Sequence, residues 1–146
     1  MAGALADQFQ AQGIANMIIE LPTAKKPVVR IASSKDDLNK LAWTAKRVLT
    51  FAVYLAELGE THPDAKPLKG FDGAGVLEVV ENYDKNTYRA VYTIKFAGVV
   101  YVLDVFQKKS KRGKATPKAD MDRIKSRLKL AEQHYEANYR QQTRTG

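Results

Sequence analysis

Five bases fall within seven residues: Lys108, Lys109, Lys111, Arg112 and Lys114, in the stretch QKKSKRGKATPK, and Lys118 follows behind a proline. Such a cluster does the chemistry of anions. Guanidinium and ammonium groups hold phosphates, and they stabilise the charge that develops when a phosphate is attacked. Residues 108–129 carry ten Lys or Arg against two Asp, and the rest of the chain holds fourteen of each sign. The whole net charge of +8 therefore has one address. Solubility alone does not require that placement. The expected partner is a nucleic acid held through its phosphates, with affinity that falls steeply as salt rises.

Other chemistries find less support. Gly70, Gly73 and Gly75 in GFDGAGVLE precede a strand rather than a helix N-terminus, and no Gly-Lys-Ser/Thr follows. A phosphate-cradling nucleotide loop is not built that way. His62 falls in a loop and His134 in the last helix, neither with a partner at metal-ligand or triad spacing. Glu78 and Glu81 lie on opposite faces of one strand and read as solvated strand charges rather than an acid–base pair. The chain has no cysteine, which excludes disulfides and every Cys-ligated metal site. No metal and no cofactor are expected.

The elements that must position the basic cluster follow from periodicity. A chain of 146 residues fits one ordinary domain. Residues 1–24, rich in Ala, Gln and Gly, read as a flexible or partly helical extension, and residues 25–146 as a single domain. PVVRI (27–31) predicts a short edge strand behind a proline. The stretch from Ser33 to Glu60 opens with a capping box, Ser34 and Asp37, and repeats apolar residues at helical spacing up to Gly59, a C-cap. It is one long helix or two short ones meeting near Trp43.

VLEVVEN (76–82), TYRAVYTIKF (87–96) and VVYVLDVFQKK (99–109), joined by short turns, predict an antiparallel meander. Tyr88, Ala90, Tyr92, Ile94 and Phe96 share one face, with the tyrosines in the core; Arg89, Val91, Thr93 and Lys95 share the other. Thr116-Pro117 predicts an N-cap and a first-turn proline. Met121, Ile124, Leu128, Ala131 and Tyr135 form the buried stripe of the last helix, with Arg123, Lys125, Arg127 and Lys129 mostly off it. The fold class is α+β: a small antiparallel sheet with N-terminal helices and a C-terminal helix. The basic turn thus joins a strand end to a helix N-terminus, whose amides themselves attract phosphate. No apolar run reaches the roughly 20 residues that span a bilayer. The first residues also lack the pattern of a signal peptide, so the cytoplasm is the expected location.

HPDAKPLKGF, the block GVLEVVENYDKNTYRAVYTIKFAGVVYVLDVFQKKSKRGKATPKADMDRIKSRLK and the later AEQHY resemble the phage-derived branch of the RelE/HigB toxin superfamily. The likeness runs from about Lys26 to Tyr135, and residues 62–129 are its specific part. It implies a RelE/ParE-like fold, with helices packed on one face of a small antiparallel sheet. It implies the toxin of a type II toxin–antitoxin pair, a metal-free endoribonuclease that cuts mRNA in the ribosomal A site. The implied partner is a cognate antitoxin, often of helix-turn-helix type, expected to lay an acidic segment over the basic turn or the adjacent helix.

Carried over residue by residue, Arg89 in YRAVY matches the family arginine that contacts the scissile phosphate. Lys108 and Lys109 match its basic residues at the end of the last strand. These three form the expected catalytic set, with Lys95, Lys111, Arg112, Lys114 and Lys118 binding RNA. The chain departs from the family pattern where Glu78 and Glu81 stand in place of further bases, and no general base is assigned. A sister branch, ParE-like, inhibits DNA gyrase on the same fold. Such an inhibitor, or a non-catalytic nucleic-acid-binding protein, is the alternative.

Overall fold

The computed structural model describes residues 25–71, 73, 75–108 and 116–139, with Lys108 described by its backbone. Three long strands form its centre: β3 (Val76–Tyr83), β4 (Asn86–Thr93) and β5 (Val100–Lys108). Tyr83 pairs with Asn86, which leaves Asp84 and Lys85 as a two-residue turn with φ of 51° and 66°. Two positive φ values in that position define a type I′ turn, whose twist matches that of the strands it joins. Two short strands, β1 (Val28–Arg30) and β2 (Lys66–Pro67), complete a five-stranded sheet in the order β1-β5-β4-β3-β2.

The meander is antiparallel as expected, and β1 is an edge strand as expected, but β1 runs parallel to β5. The sheet is therefore mixed. A parallel neighbour needs a crossover, and the helices after β1 begin that crossover. They are two, α1 (Ser34–Asn39) and α2 (Trp43–Glu57). The expected capping box does not form, and the N-cap of α1 makes no side-chain cap bond. Ser33 occupies the N-cap and its hydroxyl donates to Asp37 Oδ2 at 2.7 Å, while Ser34 is buried with its Oγ 3.4 Å from the Val102 carbonyl. At the other end Gly59, at φ 80°, lets Glu60 N reach Leu55 O at 2.8 Å and its own N reach Ala56 O at 3.0 Å. These bonds satisfy the last carbonyls of α2 in a Schellman motif.

The last helix, α3 (Lys118–Asn138), overturns the one-face packing that the family resemblance implied. Ala45, Leu49, Ala52, Val53 and Ala56 of α2 bury against Val79, Tyr88, Ala90, Tyr92 and Val102. Ile124 and Ala131 of α3 bury with Val76, Val91, Phe96, Tyr101 and Leu103, on the other face. The reason lies in β5, where Val100 to Leu103 is an unbroken apolar run buried on both sides, so each face needs its own cover. The helical stripe predicted for α3 is the one that faces the sheet.

A bulge interrupts β5: Val91 pairs with Asp104 but Tyr92 pairs with Val102, so Leu103 is the extra residue. Both Leu103 and Asp104 thereby turn toward α3. Strand β4 stops at Thr93, three residues earlier than its pattern suggests. Thr93 Oγ1 donates to the Gly75 carbonyl at 3.0 Å and accepts from Lys95 N at 3.1 Å, which turns the backbone out of the ladder. Phe96 consequently joins the α3 side of the core and Ile94 is exposed.

The two tyrosines buried deepest make a pH prediction. Burial pushes the Tyr92 and Tyr101 phenols from 10.0 up to about 12, with Tyr139 and Tyr135 adding to the shift of Tyr101. The folded chain keeps these protons where the unfolded chain has lost them. Their contribution to stability is whole below pH 10 and is lost as pH rises from 10 toward 12. Absorbance titration of the seven tyrosines should show two that ionise only at that upper limit or together with unfolding. Seven phenols ionising together near pH 10 in a still-folded chain would contradict this burial.

Candidate nucleic-acid interface

Arg89 stands in β4 opposite Phe106, two residues before β5 ends at Lys108. Strand alternation turns it toward the α3 face, where its side chain is 8% exposed. Its Nη1 lies 2.8 Å from Glu78 Oε2 and also donates to the hydroxyl of Thr116. The contact with Glu78 is an ion pair without the angles of a directed hydrogen bond, and Arg89 Nε finds no partner among the described residues.

Glu78 is not the solvated strand charge that its sequence suggests. It pairs with Val91 in the neighbouring strand, diagonal to Arg89, and is 7% exposed. A carboxylate this buried requires a cation, and the register supplies one. Glu81, on the opposite face, is half-buried. Thr116 is also recast. Pro117 takes the N-cap of α3 without a side-chain cap bond, and the Thr116 hydroxyl serves Arg89 instead.

The two flanks of the basic turn therefore meet at Arg89: the end of β5 through the sheet register, and Thr116 through its hydroxyl. Lys109, Lys111, Arg112 and Lys114 lie between these flanks and outside the described residues. Lys118 opens α3 beside them and is exposed. Lys95 does not belong to this group. It follows the end of β4, pairs with Glu132 Oε1 at 3.3 Å and stands over the Phe96 ring. Glu132 lies fourteen residues along α3 from Lys118, about 21 Å at the helical rise. Lys95 and Arg89 share a chain segment, yet they serve opposite ends of the sheet.

A second ionic cluster, missed by sequence reasoning, ties α3 to the same end of the sheet. Asp104 is 2% exposed, and its two oxygens accept from Arg123 Nε at 2.7 Å and Arg127 Nη1 at 2.9 Å. Arg127 also donates to Leu103 O at 3.0 Å, and Arg123 Nη2 to Asp120 Oδ1 at 2.8 Å. The Arg123 guanidinium covers the Phe106 ring at 5.2 Å. A signal existed in the sequence. One aspartate inside the apolar run VVYVLDVF demands cations, and two arginines four residues apart share a helix face that can supply them.

Burial pushes the Asp104 carboxyl above its ordinary 3.8, and Arg123 and Arg127 draw it only part of the way back. The ionised group is costly where it sits, so the cluster fixes the position of α3 more than it adds stability. Beside it a cleft of about 580 Å³ opens between α1, the end of β5 and the start of α3, lined by Lys40, Gln107, Asp120 and Arg123 among others. Its charges are mixed.

Comparison with known proteins places the chain. Residues 36–129, well over half of its length, match the family model described as phage-derived protein Gp49-like. The chain belongs to this family. The Gp49-like region starts inside α1 and ends within α3, so it includes Glu78, Arg89, Asp104, Thr116, Arg123 and Arg127. No curated protein matches the Gp49-like chain. Among solved structures, it is similar to a chain of the toxin–antitoxin complex RelBE2 from Mycobacterium tuberculosis, with 20% sequence identity and a TM-score of 0.42. That likeness covers 62% of this chain and 100% of the other. Among the described residues no helix is long and apolar enough to cross a membrane.

Proposed function

We propose that this Gp49-like chain is the toxin of a type II toxin–antitoxin pair and cleaves mRNA at the ribosome, in the cytoplasm, as an endoribonuclease without a metal. The family membership and the motif likeness to RelE/HigB toxins support the class. One observation carries the activity: both flanks of a turn that holds most of the surplus charge converge on a single arginine.

In such a reaction the ribose 2′-OH attacks the adjacent phosphate, the phosphorane gains negative charge, and the 5′-oxygen leaves with a proton. Arg89 is suited to hold the non-bridging oxygens as that charge develops, assisted by Lys108 and Lys109. Lys111, Arg112, Lys114 and Lys118 hold the flanking phosphates. A phosphate reaching Arg89 takes over the place of the Thr116 hydroxyl and competes with Glu78. Tyr92 and Tyr101, both pushed up to about 12, are neutral near pH 7 and are not the general base.

The Glu78 ion pair favours a second reading. An arginine already neutralised and buried is also what a structural residue looks like, and the chain then acts by binding alone, as a ParE-like gyrase inhibitor or a nucleic-acid-binding protein. Removing the lysines of the turn singly separates the two. A nuclease loses rate abruptly at one or two positions, whereas a binder loses affinity in even steps and its salt dependence flattens by a similar amount each time. Even steps throughout would refute cleavage at this site.

A further inference from the structure

The Arg123 guanidinium is held from three directions. Its Nε donates to Asp104 Oδ2 at 2.7 Å, its Nη2 donates to Asp120 Oδ1 at 2.8 Å, and its Cζ stands over the Phe106 ring, 5.2 Å from the centroid. Two in-plane donors are thus spent on carboxylates and one flat side on a ring. Even so, 36% of the side chain is exposed. What it has left for a ligand is chiefly the flat side turned away from Phe106. A guanidinium in that state makes a poor phosphate fork and a good stacking surface.

The same side chain lines the cleft of about 580 Å³ between α1, the end of β5 and the start of α3. Asp37, Asp104 and Asp120 on its walls oppose a second phosphate or a carboxylate-bearing partner, and Lys40, Arg123 and Arg127 balance them. Balanced charge, donors and acceptors together and a flat cation suit a planar, neutral, polar ring. The cleft also adjoins the phosphate site proposed above. Phe106 is the register partner of Arg89, and both side chains lie on the α3 face of the sheet. Side chains paired in this way start roughly 5 Å apart at Cβ. A nucleotide whose phosphate meets Arg89 can therefore set its base in the cleft.

We propose that the outer side of the Arg123 guanidinium is the platform on which a nucleobase stacks, beside the phosphate held by Arg89. Lys40 and Gln107 of the same cleft meet the edge of that base. The inference rests on the nucleic-acid reading of Arg89 and adds the recognition of a base to it. Arg123 binds the base and takes no part in the chemistry. Its two carboxylates fix the plane before RNA arrives, so little ordering is left to be done on binding.

The test reads binding and does not depend on cleavage. The probes are two dye-labelled RNA hexamers of mixed sequence, both 2′-O-methylated so that no 2′-OH can attack. One carries all its bases and the other is abasic throughout, with the same phosphates. Fluorescence anisotropy compares full-length wild type, Arg123→Lys and Asp120→Asn. Wild type should bind the abasic hexamer at least about tenfold more weakly.

Arg123→Lys keeps the charge but has no plane, and Arg127 still pairs with Asp104, so this variant should melt close to wild type. It should bind the two hexamers within about threefold of each other. Its salt slope should match wild type, because the number of neutralised phosphates is unchanged. Asp120→Asn loosens one edge of the platform and leaves the Asp104 bond in place, so its gap should shrink by at least about threefold. A purely structural role for Arg123 would weaken both hexamers together and keep the gap.

Equal binding of the two hexamers by wild type would overturn the platform, as would a full gap in Arg123→Lys. No binding of either hexamer by wild type would overturn it together with the phosphate reading of Arg89. A gap in wild type that closes in Arg123→Lys, beside intact mRNAs in cells, would uphold the platform and remove only the cleavage reading.

Discussion

Arg89→Ala costs the protein about 3–5 kcal/mol of stability, because it leaves Glu78 buried without a cation. The figure is a large part of the roughly 5–15 kcal/mol that holds a domain folded. Glu78 is 7% exposed and pairs with no other cation among the described residues, so it must protonate or drag water into the sheet. Replacing both members, as in Glu78→Leu/Arg89→Met, removes the desolvation cost together with the attraction. That double variant should recover most of the loss and melt within a few degrees of wild type. Urea unfolding of the two single variants and the double variant measures the coupling. A fully additive cycle would mean that the pair does not form, and Arg89 would then be free in the folded protein. The cycle also has a practical use. It yields a folded protein that lacks the arginine, so loss of activity can be separated from loss of structure.

Ile124→Ala should cost about 2–4 kcal/mol, and the loss should be concentrated in α3. The helix is polar over most of its 21 residues, and only Ile124 and Ala131 are fully buried. Its buried ionic attachment, Asp104 with Arg123 and Arg127, sets position at little net gain, since the carboxylate is itself expensive to bury. Cutting Ile124 to alanine empties the contact with Val91 and Leu103 and leaves Ala131 as the remaining fully buried anchor. Hydrogen exchange should show the amides of α3 opening well before those of β3, β4 and β5. Uniform acceleration across helix and sheet would mean instead that α3 is an integral part of one cooperative unit. Because the start of α3 follows Thr116 directly, its release also uncovers Arg89, linking this stability to access at the proposed site.

What could be read from residue order depended on how local the cause was. Strict alternation along β4 and a turn signal at Asp84-Lys85-Asn86 announce the central hairpin without any knowledge of the rest, although Asn86 already belongs to the ladder. The helical stripe of α3 was legible for the same reason. The parallel edge strand and the split of helices between two faces were not, because they follow from β5 being apolar on both sides. That property acquires meaning only once its neighbours are known. Arg89 stood out by context, yet its burial against Glu78 depends on the register between β3 and β4, which alternation alone does not provide. Alternation along a continuous strand puts Lys95 on the same face as Arg89. The strand ends at Thr93, and Lys95 turns to Glu132 instead. Ser34 and Thr116 differ from their predicted cap roles for a similar reason, since each hydroxyl turns to a group far away in sequence, the Val102 carbonyl and the Arg89 guanidinium, that cap statistics cannot anticipate.

The most direct test of translation-linked cleavage is primer extension across several abundant mRNAs in bacteria, shortly after the chain is induced. Wild type runs beside Lys108→Ala/Lys109→Ala and the folded Glu78→Leu/Arg89→Met variant. New 5′ ends inside translated codons should appear with wild type and be absent from both variants. Intact mRNAs in growth-arrested cells, or the same ends produced without Arg89, would contradict an Arg89-centred ribonuclease; the first of these would place a gyrase-directed toxin in its stead.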